Sequence, residues 1–247
     1  MIRLEAATVM LQWAVGGLAF LWFTTRRNEV GAGYGMLLRI TYGAFAVIAV
    51  VLGNRYGLSI VREASSVAVA VAAFALIRNK RSKLDLIAPL LGVPGIIAAG
   101  ISAASEGSSG DVVVSLLRII VGTLFLGAVS DTMLLGHWYL VQPGMPRRLI
   151  NELVDAVIYI WPLEVVVLLL PTGMISVING TIDDGWNGVL GWFWLASAIV
   201  TGVLAFVTRA ALKERSYSAV MAATGLMYLA ILTAFCTDIV ARALLAI

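Results

Sequence analysis

Eight apolar runs of about 20 residues follow one another through this 247-residue chain, with only short polar connections between them. A helix rises about 1.5 Å per residue, so each run can cross a hydrocarbon core of about 30 Å. The runs cover residues 6–24, 34–53, 58–77, 85–104, 112–138, 149–171, 187–208 and 217–241. Stretches such as VVVLLLP and AFAVIAVVLG are continuous rather than alternating, unlike the strands of a membrane barrel. Charged residues make up 13% of the chain, against about 25% in soluble domains, too few to cover a water-soluble surface. The expected fold is all-α, a polytopic integral membrane helical bundle of about eight transmembrane helices, one domain over residues 1–247. The third run is the least regular, because Arg62 and Glu63 interrupt its first turn; the remainder, ASSVAVAVAAFALI, is rich in small residues suited to close helix packing.

The charges alternate with the runs. Connections one, three, five and seven carry Arg26 and Arg27; Arg78, Lys80, Arg81 and Lys83; Arg147 and Arg148; and Arg209, Lys213 and Arg215. The even connections carry only Arg55 and Arg62, together with Glu63, Glu106, Asp111, Asp183 and Asp184. By the positive-inside rule the odd connections are cytoplasmic and both termini lie on the non-cytoplasmic side. The expected location is the cytoplasmic (inner) membrane. Topology thus accounts for the net charge of +3 without nucleic acid as a partner; the expected partners are membrane lipids and other protein subunits.

Ionisable residues within such runs are costly and are the natural site candidates. Depth sorts them into two groups. Near the cytoplasmic face lie Arg39, Asp131, His137, Tyr139, Glu152 and Asp155, the candidates for a quinone or proton site. Toward the outside lie Arg118, Glu164 and Asp238, with Arg242 nearby. Each also has a plain reading. His137, Trp138 and Tyr139 fit an interfacial belt. Glu152 suits the first turn of a helix. Glu164 and Asp238 suit charge partners of Arg118. Asp131, about two turns inside the end of an apolar helix, is the hardest to explain structurally. It is six residues from His137, about 240° around a helix, so the two converge only if the helix bends or stops near Gly136. Ser130, one residue before Asp131, is expected on a different face.

One histidine and one cysteine exclude bis-histidine heme, cysteine-based zinc and iron–sulfur centres held by this chain alone. No G-x-S-x-G elbow is present, and Gly31–Gly35 lacks the Lys-Ser/Thr of a phosphate-binding loop. Two functional expectations and a structural one remain. In the first, the chain is a membrane subunit of an electron-transfer or other energy-transducing complex, non-catalytic by itself, with a quinone/proton site at the cytoplasmic face. Histidine and buried carboxyls suit proton exchange near neutral pH. In the second, it is a proton-coupled transporter of a small solute or ion, with Pro89, Gly92, Pro94 and Gly95 marking run four as an interrupted helix. In the third, it is an anchor or assembly subunit.

Overall fold

The computed structural model describes residues 5–79, 81–106 and 111–245, which form helices joined by short turns and loops, with no strand among them. The helices are α1 (Ala6–Thr25), α2 (Ala32–Tyr56), α3 (Ile60–Ala75), α4 (Ile87–Glu106), α5 (Val112–Val141), α6 (Arg148–Leu169), α7 (Gly173–Ile178), α8 (Val189–Ala211) and α9 (Tyr217–Leu245); a short 3-10 turn, Ser82–Leu86, leads into α4. The eight longer helices fall on the eight apolar runs, and α7 lies in the connection between α6 and α8. Six of them (α1, α2, α4 with its leading turn, α5, α8 and α9) are long and apolar enough to cross a membrane. The other two differ for distinct reasons. α3 has 16 residues, about 24 Å of rise. α6 carries Arg148, Glu152, Asp155 and Glu164. Large apolar side chains such as Val51, Val113 and Leu232 are exposed on the outer surface, as lipid-facing residues are. The protein is a multi-pass helical membrane bundle.

α1 is the central helix, packed against α2, α4 and α5. Its crossing with α5 is a backbone contact. A Cβ on Gly16 would overlap the Thr123 carbonyl, and a Cβ on Gly127 would overlap the backbone of Gly16. Such glycine crossings let transmembrane helices approach by van der Waals packing alone. The next residue, Gly17, makes room on the neighbouring face for the ring of Tyr42 from α2. α3 packs against α2 and α4, whereas α8 pairs with α9 and α6.

α4 is not interrupted. Pro89 lies in its first turn, where a missing N–H costs little, and the helix continues through Pro94. Gly92 and Gly95 serve packing instead: a Cβ on Gly92 would overlap Val15 of α1, and one on Gly95 would lie 2.7 Å from Cβ of Ser65 on α3. The two charges that interrupt run three are also accounted for. Arg62 is buried, pairs with Glu63 at 2.8 Å and Glu5 at 2.7 Å, and donates to the Gly57 carbonyl, so the start of α3 is tied to the start of α1.

The four basic connections meet at one end of the bundle. Gly31 N–H donates to Gln142 Oε1 at 2.8 Å, and Arg148 pairs with Glu29. Arg147 donates to the carbonyls of Glu214 (2.5 Å) and Ser216. Thr25 donates to Asp85 at 2.9 Å. Lys80 of the basic run lies outside the described residues.

At the opposite end the loop before α8 folds around Asp184. Burial opposes ionisation of this carboxyl, but N–H donation from Gly188, Trp186 and Leu190 outweighs it and holds the group below its ordinary range. A depressed carboxyl stabilises the fold above its unfolded value, and that contribution disappears as pH falls through the folded value. Thermal melts in detergent at decreasing pH are therefore expected to show a loss of stability below the ordinary aspartate range, and Asp184→Ala is expected to remove that component.

Candidate functional site

Asp131 is wholly buried on α5, facing α2. Tyr42 donates its hydroxyl to one carboxylate oxygen, and the Tyr34 hydroxyl lies 3.5 Å from the other. The Tyr42 hydroxyl also lies 3.0 Å from Ser130 Oγ, which donates to the Leu126 carbonyl at 2.7 Å. Ser130 and Asp131 point in different directions on α5, as expected, yet one tyrosine hydroxyl between them reaches both. The arrangement has a local cause. Tyr34, Leu38 and Tyr42 form a row on α2 at four-residue spacing, all wholly buried. Gly17 admits the Tyr42 ring, and the Tyr34 ring packs against Trp138 with centroids 5.8 Å apart.

Beside this cluster, at the basic end, a cavity of about 180 Å³ opens between Thr25, Gly31, Gly35, Arg39, Asn79 and Asp85. Asp85 is its hub. Its Oδ1 accepts from Arg39 Nε at 3.1 Å and Nη2 at 2.7 Å, and from Asn79 at 3.2 Å. The pair is almost entirely buried, 5% and 1% exposed at the side chains, so each charge depends on the other. Gly35, next to Tyr34 in the chain, underlies the Arg39 guanidinium: a Cβ there would lie 3.1 Å from its nitrogens.

The other inner candidates have separate partners. His137 is exposed and meets α9, with Nδ1 3.4 Å from the Tyr228 hydroxyl. α5 neither bends nor stops at Gly136 but continues to Val141, because Gly136 is a packing position against Thr224 of α9. Asp131 and His137 therefore stay on different faces. Tyr139 donates to the Pro146 carbonyl at 2.8 Å and braces the α5–α6 turn. Glu152 pairs with Arg27 at 2.5 Å and lies 3.7 Å from Arg26 and Arg148. Asp155 pairs with Arg209 at 2.6 Å. The inner group is thus an Asp131–tyrosine cluster, an Arg39–Asp85 cavity and a rim of ion pairs.

The outer candidates do come together. Arg118, Glu164, Asp238 and Arg242 are all buried, and Glu164 lies close enough to Asp238 and both arginines to interact with their charges. Arg242 Nε donates to Asp238 Oδ2 at 2.8 Å. Arg118 donates from Nε to the Val167 carbonyl at 3.1 Å and from Nη2 to that of Leu170, at the C-terminal end of α6.

Tyr34, Tyr42 and Asp85 are the site residues that sequence reasoning missed. The tyrosines carry a weak signal, their i, i+8 spacing on one face of run two. Asp85 sits at the very edge of run four and carries none. Known protein families, characterised proteins and solved structures offer no match to this chain.

Removing the Tyr42 hydroxyl leaves a buried carboxyl oxygen without its closest partner, a loss of about 1–3 kcal/mol. Tyr42→Phe is expected to lower the melting temperature of the purified protein. Phe substitution at exposed Tyr228, which bonds only the rim histidine, is expected to leave it nearly unchanged.

Proposed function

We propose that this chain is the membrane-embedded, proton-handling subunit of an energy-transducing complex, exchanging protons with a quinone headgroup at its basic end. The observation that carries the reading is Asp131, a carboxyl with no water-exposed surface whose contacts are tyrosine hydroxyls. Hydroxyls donate to a carboxylate and accept from a carboxylic acid, so the same partners serve both protonation states. Tyr34 links this carboxyl to the wall of the cavity at Gly35. A quinone ring seated there would meet the Arg39 guanidinium, whose N–H groups not spent on Asp85 suit its oxygens. One histidine and one cysteine supply no ligand set for heme or iron–sulfur clusters, so partner subunits carry the redox centres in this reading. His137 then belongs to the membrane interface beside Tyr228 and not to the headgroup pocket.

In the same reading all eight long helices cross the cytoplasmic membrane, with both termini on the outer side. The interlocking of the four basic connections at one end supports this, as does the Glu5–Arg62 pair at the other. A proton-coupled transporter is the second reading. It is favoured by the buried Arg118–Glu164–Asp238–Arg242 cluster at the far end of α5, which would give a solute or ion a second polar station.

Two experiments test these statements. In a Cys236→Ser background, single cysteines at Asn28 and Asn179 are expected to react with a membrane-impermeant maleimide from opposite sides of sealed vesicles. Labelling from one side would overturn the proposed threading. Asp131→Asn in the purified assembly is expected to slow quinone-coupled electron transfer by roughly 10²-fold, the usual scale for loss of a proton-transfer group. Unchanged rates and quinone affinity would overturn the quinone reading. Proton-driven uptake by the chain alone, lost in the same variant, would establish the transporter instead.

A further inference from the structure

The outer cluster holds more unmet hydrogen-bonding capacity than any other buried region described. Both Glu164 oxygens, Asp238 Oδ1, Arg118 Nη1 and both terminal nitrogens of Arg242 are buried without a hydrogen-bond partner. All four side chains are at most 1% exposed. Gly122 of α5 leaves the space the cluster occupies: a Cβ there would lie 2.5 Å from Arg242 Nη2 and 2.8 Å from Asp238 Oδ1. Gln12 of α1 closes the same side, with its amide nitrogen spent on the Ile119 carbonyl at 2.7 Å.

The charges do not pair one to one. Arg242 is matched directly by Asp238. Arg118 turns its Nε and Nη2 to the last carbonyls of α6, the negative end of that helix dipole, and not to a carboxylate. Among the described residues no direct ion pair reaches Glu164. It has no donor of its own and stands against a second carboxyl whose Oδ1 is also unmet. An ionised carboxylate in that position would carry a cost of several kcal/mol with no bond to offset it. One proton resolves both deficits, because a protonated Glu164 donates to Asp238 Oδ1. Carboxyl pairs in contact hold a proton between them for this reason.

We infer that Glu164 and Asp238 share a single proton, and that this cluster is a second proton-binding site, toward the other end of α5 from Asp131. The remaining idle nitrogens of Arg118 and Arg242 suit bound water. The inference stands independently of the quinone reading, since it concerns different residues and requires no partner.

Infrared spectroscopy of the purified protein at neutral pH tests it. The difference spectrum between wild type and Glu164→Gln is expected to show loss of a protonated-carboxyl C=O stretch. Loss of a carboxylate band, with the protonated-carboxyl region unchanged, would overturn it. Folding is a second readout. Glutamine reproduces the shape and the donor of the protonated acid, so Glu164→Gln is expected to fold and melt close to wild type, while Glu164→Ala leaves Asp238 Oδ1 unmet and melts lower. A glutamine variant that fails to fold would show that the negative charge is required, and would also overturn the inference. Asp131→Asn is expected to leave the Glu164 band in place, so the two sites are separable.

Discussion

The crossing of α1 and α5 at Gly16 and Gly127 is the contact on which the rest of the bundle depends. Two backbones meet there with no side chain between them. In a bilayer there is little hydrophobic gain from bringing helices together, so such close packing has to supply the association energy. The crossing also sets what lies on either side of it. Gly17, one residue on, admits Tyr42 toward Asp131. Gly122, five residues before Gly127, admits Arg242 and Asp238 toward Glu164. Both buried acid clusters are thus strung along α5, one on each side of a single glycine contact.

Buried charge is handled in three ways in this protein. Arg39 with Asp85, and Arg62 with Glu5, are direct ion pairs between different helices or connections, and Glu63 beside Arg62 on α3 completes the second. These pairs fix how the ends of α1, α2, α3 and α4 meet. Asp131 is held by neutral hydroxyls, which leaves its charge free to change without breaking an ion pair. The outer cluster has arginines and acids in contact but with much of their bonding capacity unspent. A chain under selection for stability alone would replace such groups with apolar residues at little cost. Groups that are buried and incompletely paired inside a membrane protein are for that reason the natural candidates for a functional site.

Much of this organisation was legible in the residues. The apolar runs located the eight long helices, six of which are long and apolar enough to cross a hydrocarbon core that demands about 20 apolar residues. Arg118, Glu164 and Asp238, grouped by depth in the sequence, lie buried in one cluster. Depth was a poorer guide at the basic end. Arg39, Asp131, His137, Glu152 and Asp155 share a level but not a face, and the bundle distributes them among different neighbours. The glycines of run four suggested an interruption, yet they are contact points for Val15 and Ser65. A glycine that relieves the backbone and one that admits a neighbouring side chain look identical in sequence.

The sequence by itself determined that this is a helical membrane protein, where its helices lie, and which connections share an end, because those follow from transfer energies summed over contiguous residues. Only the tertiary structure decided that Asp131 belongs with Tyr34 and Tyr42 and not with His137, and that Asp85 is the partner of Arg39. It also decided that Arg118 is spent on the end of α6 while Glu164 is left against Asp238. Those pairings depend on the rotation of each helix about its axis. That rotation is set by which glycines and alanines let particular neighbours approach, a property of the packed bundle and of no single run.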